Sequence, residues 1–431
     1  MSFVLLWCRR SAAILIAAMV LPAVAQNWDA YLEEIKTQNP ACKEANLRVA
    51  AAEAAVSAAG VLPNPNVQVG VFAQSVETRV GPQEYSVQLS QAVPWRGKLK
   101  LREARARRQA DKARAMRDMV VLEKTSAFRK TMADYFYLGK ALALTRDHLE
   151  LLDSLEGTVT RRYENNAASY NDLIRIQIEK DQLTDRLATQ QASAQPLRAA
   201  LNVLLGRPMA QSLPFPEALP RYDMPQTVSA QSLAETLAGQ HPVLAKLQHQ
   251  ADADRLSVAL AAKARRPDFK FGLSWIQTGD AIQPGLQDSG KDPILLSVGL
   301  DLPVWRKKNR ALVESATASL QATEQQRTAV QEDLTAHLQT TLFQLDDARR
   351  KMALYRDQVI PKAEESLNVM IGAFETGAST YLELIDAEKS LLEFRLALSQ
   401  AQANCVKAIA AIEAATGTLP FPEIAKGGRR D

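Results

Sequence analysis

Two stretches of the chain, Gly97 to about Arg162 and Lys307 to about Glu375, keep helix-forming composition with a single proline, Pro361, in the pair. Each is about 66 residues long, so at 1.5 Å per residue it reaches on the order of 100 Å. No globular core needs helices of that length. Val121, Phe128, Tyr135, Leu142 and Leu149 fall seven apart in the first. In the second, Leu312, Ala316, Leu320, Val330, Leu334, Leu338, Leu342 and Leu345 hold one face at short steps, and both patterns are those of coiled-coil packing.

The two stretches belong to an internal duplication. Asn39-Pro40 recurs as His241-Pro242, Pro65 as Pro267, Pro94-Trp95-Arg96 as Pro303-Val304-Trp305-Arg306, Ala168-Ser169-Tyr170 as Ala378-Ser379-Thr380-Tyr381, and Leu205-Gly206 as Thr416-Gly417. The offsets are 202, 202, about 209, 210 and 211, so the second copy carries one extra loop insertion, within Gly279 to Asp292. Two repeats follow, 26–213 and 229–419, joined by a linker at 214–228 that holds Pro214, Pro216, Pro220 and Pro225, with a short tail at 420–431. Each repeat reads as helix, two strands, long helix, turn, helix. The fold class is mainly α with a small β part.

The strands announce themselves by a change of period from 3.6 to 2. They are expected at about 66–77 and 84–93 in the first repeat and at about 268–278 and 293–302 in the second. Val67, Val69 and Val71 alternate with Gln68 and Gly70, and Leu296, Val298, Leu300 and Leu302 alternate with Ser297, Gly299 and Asp301. Helix is expected without a break over Trp28 to Ala59, ahead of Pro63-Asn64-Pro65, which no helix crosses.

Residues 1–25 read as a signal peptide. Arg9-Arg10 precede an uncharged apolar run, Ser11 to Ala25, that ends in Ala23-Val24-Ala25 before Gln26. The run is too short to span a bilayer, for which about 20 residues are needed. Export gives the strands a meaning. Ten residues at about 3.3 Å, tilted near 45°, rise roughly 23 Å, close to the apolar band of an outer-membrane barrel. An ordinary two-layer sheet packed on helices is the alternative. Four strands do not close a barrel and open edges are not tolerated in lipid, so the membrane reading requires oligomers. Three copies give twelve strands, the simplest closed ring.

Trp95 and Trp305 end corresponding strands, where indole rings suit a membrane interface. With Arg96, Lys98 and Arg306 they form the expected membrane-interface anchors. Arg96, Lys98, Lys100, Arg102, Arg105, Arg107 and Arg108 crowd the start of a long helix, where the macrodipole disfavours cations. Either lipid phosphates compensate them or they form a solvated basic face.

These residues resemble a family, the outer-membrane efflux proteins, or TolC-like trimeric channel-tunnels. The likeness covers Trp28 to Leu419. It rests on the duplicated unit, on Pro94-Trp95-Arg96-Gly97-Lys98 after a Ser-Gln-Ala-Val strand end, and on Ala373-Phe374-Glu375-Thr376-Gly377-Ala378-Ser379-Thr380 with Leu384, Asp386 and Ala387. The resemblance implies a trimer with a 12-stranded outer-membrane β-barrel continued by a 12-helix periplasmic α-barrel. It implies an exit channel of a tripartite efflux system, fed by a periplasmic adaptor (membrane fusion protein) and an inner-membrane pump of the resistance-nodulation-division type, exporting heavy metals or drugs. The alternative function is a periplasmic coiled-coil adaptor or scaffold without a barrel.

By geometry the turns at Tyr163 to Ser169 and Phe374 to Ser379 lie at the far end of the long helices, and Asp172, Glu383 and Asp386 just beyond them are the carboxylates of the narrowest point. They read as a cation-attracting ring or as helix-start carboxylates that satisfy the dipole. In the family a Tyr and an Arg tie the closed tip. Here Phe374 and Ser379 stand at those positions, so the tip needs another tie, with Arg161, Arg162 and Arg175 as candidates.

Catalytic signals are missing. The chain has 4 His and 3 Cys, with no ligand spacing, no phosphate loop and no nucleophile motif, so no enzyme, cofactor or metal site is expected. Cys42 and Cys405 are available for a disulfide in an exported protein. A formal charge of +4 asks for no nucleic-acid partner.

Overall fold

The computed structural model describes residues 28–418 and Phe421, except Asn166, Ala167, Gln226, Thr227 and Gly377. The expected leader, and the tail apart from Phe421, lie outside the described residues. The first repeat contains α1 (Trp28–Gln38), α2 (Pro40–Ala59), β1 (Asn66–Val71), β2 (Glu77–Thr78), β3 (Gly81–Val93), α3 (Lys98–Glu164) and α4 (Tyr170–Leu205). The second contains α5 (Ala230–Gln240), α6 (Pro242–Lys263), β4 (Asp268–Thr278), β5 (Ile294–Asp301), α7 (Arg306–Leu354), a π-helical turn (Tyr355–Val359), α8 (Ile360–Glu375) and α9 (Tyr381–Thr416). α3 packs against α2, α4, α6 and α9, and α7 packs against α6 and α9.

Three elements depart from the sequence reading. The helix expected over Trp28–Ala59 breaks at Asn39, because Pro40 supplies no amide hydrogen and starts a new helix at its first turn. The second long helix is interrupted by the π-helical turn, which absorbs the missing N–H of Pro361. β1 ends at Val71 and only Glu77 and Thr78 rejoin β3, which begins earlier than expected, at Gly81.

The Asn39 break and its counterpart are one device used twice. The Asn39 side chain accepts from the Ala41 amide at 2.9 Å and donates to the Leu204 carbonyl at 2.8 Å. His241 caps α6 likewise: Nδ1 accepts from the Val243 amide at 3.1 Å and Nε2 lies 3.0 Å from the Ala414 carbonyl. Each therefore ties the start of one helix to the end of another. The helices reached this way stop at Gly206 and Gly417, with φ of +73° and +85°. A Cβ at Gly206 would sit 2.7 Å from the Gln38 carbonyl oxygen, so a side chain fails there on both counts.

Both ring nitrogens of His241 are used only by the neutral imidazole. Burial pushes its pKa below the ordinary 6.5, against a smaller opposing effect of the Ala414 carbonyl. Below that ordinary value the unfolded chain binds a proton that the fold refuses, so this contribution to stability is present at neutral pH and fades as pH falls. His241→Asn repeats the Asn39 arrangement without a titrating group. Thermal unfolding of the detergent-purified variant is expected to lose less melting temperature between about pH 7.5 and 5.5 than the parent. An unchanged pH slope would refute the assignment.

Two apolar clusters hold the helices. One gathers Trp28 and Ile35 of α1, Phe128 and Met132 of α3, Leu237 of α5, Leu345 of α7 and Ile409 of α9. Truncating a fully buried phenylalanine such as Phe128 costs about 3–5 kcal/mol. The other lies toward the helix turns, with Leu152 and Val159 of α3, Ile176 of α4, Phe374 of α8 and Leu384 of α9. Cys42 and Cys405 are both buried free thiols rather than a disulfide.

The strands form an antiparallel sheet in the order β1-β3-β4-β5. Val67, Leu89, Leu273 and Leu296 make one cross-strand row; Val69, Val87, Trp275 and Ile294 make the next. The opposite face carries Gln68, Gln88 and Ser274, with Ile276 and Leu295 as apolar residues on it. No helix lies against either face among the described residues. The apolar rows are bare: Leu296 is 78% and Val71 76% exposed. β1 and β5 are open edges.

Candidate functional site

The two helix turns are built alike. Ser169 and Thr380 begin α4 and α9 in extended backbone, and each forms a capping box with the carboxylate three residues on. Asp172 Oδ2 accepts from the Ser169 amide at 3.0 Å and its hydroxyl at 2.7 Å. Glu383 Oε2 accepts from the Thr380 amide at 2.8 Å. The Thr380 amide, with its hydroxyl, holds the Glu383 carboxylate below the usual range. Two of the three expected tip carboxylates thus also serve as helix caps. Asp386, one turn further along α9, is exposed with no side-chain partner among the described residues.

An aromatic pair straddles each turn. Tyr163 and Tyr170 stand 5.9 Å apart between centroids, and Phe374 and Tyr381, at the equivalent places, stand 6.0 Å apart edge to face. Phe374 is buried, and the Arg162 guanidinium lies 4.1 Å from its ring centroid. Arg162 also donates to the Phe374 carbonyl at 3.2 Å. One side chain at the end of α3 therefore grips both ring and backbone at the end of α8. Ser379 donates from its amide to the Ala373 carbonyl at 3.2 Å, and its hydroxyl reaches the Met370 carbonyl at 3.4 Å, which folds the turn back on α8.

Tyr381 was not among the residues expected at the tip, and neither was the aromatic pairing. Its hydroxyl is buried and finds no partner among the described residues. Burial first, then the charges of Glu156 and Asp172, push its pKa far up, so it stays protonated. Aromatic residues seven apart across both turns were the available signal. Beside them Lys180 bridges Glu156 and Asp153 at 2.5 Å each, joining α4 to α3.

At the other end of α3 the basic run separates into distinct roles. Lys98 is buried, with its ammonium 2.8 Å from Asp268 and 3.2 Å from the Arg266 carbonyl, so it braces α3 to β4 rather than meeting a membrane surface. Arg107 pairs with Glu103 and Arg108 with Asp111. Trp95 stacks on Phe269 at 5.9 Å with Arg266 at its ring, whereas Trp305 is 73% exposed. Arg96 and Arg306 are exposed.

No helix among the described residues is long and apolar enough to cross a membrane. Residues 233–418 match the outer membrane efflux protein family. The cobalt-zinc-cadmium resistance protein CzcC of Cupriavidus metallidurans is 22% identical over 344 residues, which cover 80% of this chain and 78% of that protein. The outer membrane protein VceC of Vibrio cholerae has the same fold, with a TM-score of 0.74 at 17% identity over 91% of this chain and 96% of that one. The second repeat thus matches the outer membrane efflux protein family, and the chain as a whole has the fold of VceC. The outer membrane efflux protein BepC of Brucella suis is 22% identical over 295 residues, 68% of this chain and 62% of BepC. The chain resides in the outer membrane and extends into the periplasm, and the family that its second repeat matches is one of outer membrane efflux proteins.

Proposed function

We propose that this protein is the exit duct of a tripartite efflux system, passively conducting solutes received from an inner-membrane pump and a periplasmic adaptor to the exterior. In this reading the repeats 26–213 and 229–419 supply two strands each, and three copies close a twelve-stranded barrel above a twelve-helix tunnel. The observation that carries it is the bare apolar sheet face between two open edges. Exposed apolar surface of that kind is covered by a partner or by lipid. Closing the edges removes unpaired backbone groups that lipid does not satisfy. A periplasmic adaptor or scaffold calls for the strands to pack on protein, and no helix among the described residues packs on them. Membrane fractionation followed by native mass measurement in detergent is expected to find trimers in the outer-membrane fraction. A monomer that stays dispersed in plain buffer would sink the proposal.

Asp172, Glu383 and Asp386, repeated three times, then surround the tunnel axis at its inner end and attract cations. Trp95, Trp305, Arg96 and Arg306 lie where the barrel meets the inner leaflet, and Lys98 supports them from within. The CzcC relative, whose name specifies cobalt, zinc and cadmium, supports metal cations as cargo; the pump partner proposed with it is of the resistance-nodulation-division type. Deleting the gene is expected to lower tolerance to those metals. Lowered tolerance to drugs alone would instead assign a drug pump.

A further inference from the structure

A groove of about 490 Å³ runs between α2, α3 and α6 just beneath the sheet, with Ala55, Ala59 and Ala106 among its walls. Arg102, Arg105 and Gln109 reach into it from α3, below the buried Lys98. Arg102 and Arg105 are one helical turn apart and neither forms an ion pair among the described residues, although the Arg102 charge adds weakly to the hold on Asp268. Like charges at that spacing repel by about 0.2–0.5 kcal/mol. Asp268, the nearby carboxylate, is already held by Lys98. Small side chains, two guanidiniums that form no ion pair among the described residues and an amide make a site suited to an oxyanion, since guanidinium matches carboxylate and phosphate geometry.

In the channel reading the groove falls on the inner side of the helical wall, if the side covered by α1 and the inter-repeat segment is the outer one. Phe128 and Tyr135 of α3 pack under α1 and the inter-repeat segment, where Trp28 stands 6.0 Å from Phe128 and Tyr135 donates to the Leu213 carbonyl. Counted back in sevens, that covered side falls on Val121, Arg114, Arg107 and Lys100. Lys98, Arg102, Arg105 and Gln109 fall opposite. Lys98 bonds Asp268, which belongs to the polar face of the sheet with Lys270 and Ser274. α2 agrees: Glu53 meets Arg114 on the covered side, while Ala55 and Ala59 turn to the groove.

We propose that this groove is an oxyanion-binding collar inside the tunnel, which takes phosphate- or carboxylate-bearing solutes directly beneath the barrel. The inference rests on the channel reading for its lumen placement. Three copies set six guanidiniums around the upper tunnel, opposite in sign to the carboxylates of the tip. Cations then enter most readily from the periplasmic end and anions from the outer end.

Calorimetric titration of the detergent-purified protein with inorganic tripolyphosphate tests the site. The parent is expected to bind, and Arg102→Gln with Arg105→Gln to bind at least tenfold more weakly. Arg107→Gln with Arg108→Gln removes the same charge from other sides of the same helix and is expected to bind within twofold of the parent. No binding by the parent, or equal losses in both variants, overturns the site. Reversal potentials in planar bilayers under a potassium chloride gradient test the placement. The groove variant is expected to shift toward cation selectivity and the control variant to stay with the parent. Binding without that shift overturns the lumen placement, whereas absence of any conductance overturns the channel reading itself.

Discussion

Leu296→Arg is expected to prevent assembly in the outer membrane, while Ser274→Arg, on the other face of the same sheet, is expected to assemble. Leu296 belongs to a cross-strand row with Leu273, Leu89 and Val67 and is 78% exposed. In an isolated chain its replacement removes almost no contact, and exposed substitutions of that kind shift stability by about 0.5 kcal/mol or less. In a lipid-facing barrel wall the same arginine costs about 2–4 kcal/mol near the bilayer midplane. Three copies raise that to roughly 6–12 kcal/mol per assembly. Ser274 faces the side of Gln88, which the channel reading fills with water. Outer-membrane fractionation and native mass measurement of both variants read the result directly. Equal assembly of the two would mean that the apolar rows meet something other than lipid.

That asymmetry was legible because strand faces follow from period alone, and no helix among the described residues intervenes to cover them. Helix continuity was less legible. Asn39-Pro40 was visible as half of a repeated motif, yet its meaning as a break depended on Leu204, far along the chain, accepting the Asn39 amide hydrogen. The π-helical turn before Pro361 likewise reflects how α7 and α8 keep packing on α9 after losing one backbone donor. The basic run after Trp95 reads as one feature in sequence, but the fold gives Lys98 to Asp268, Arg107 to Glu103 and Arg108 to Asp111. Only Asp268 among these partners is distant in sequence, and it is the one that turned an expected membrane anchor into a brace. At the tip, Asp172 and Glu383 were recognisable as helix-start carboxylates from Ser169 and Thr380 three residues before them. The grip of Arg162 on Phe374 was not, since it joins residues 212 apart through a ring face that no local pattern encodes.

That grip carries the second large effect. In the channel reading, Arg162→Ala is expected to loosen the helix turns at the inner end and raise the basal conductance of the reconstituted channel several-fold, whereas Arg161→Ala leaves it near the parent. Arg162 contributes a cation–π contact worth about 0.5–2 kcal/mol. Its hydrogen bond to the Phe374 carbonyl adds about 1.5–3 kcal/mol as a bond from a charged donor. Arg161 lies one residue away with an exposed side chain, so it removes equal charge without touching Phe374. Phe374→Leu separates the two contributions: it deletes the ring and keeps the carbonyl, and a partial rise in conductance is expected. The double variant Arg162→Ala with Phe374→Leu is expected to rise no further than Arg162→Ala alone, because the ring contact is already lost with the guanidinium. A further additive rise would show that Phe374 holds the tip through Tyr381 rather than through Arg162. Conductance unchanged by Arg162→Ala would place the tie between α3 and α8 outside the gating motion.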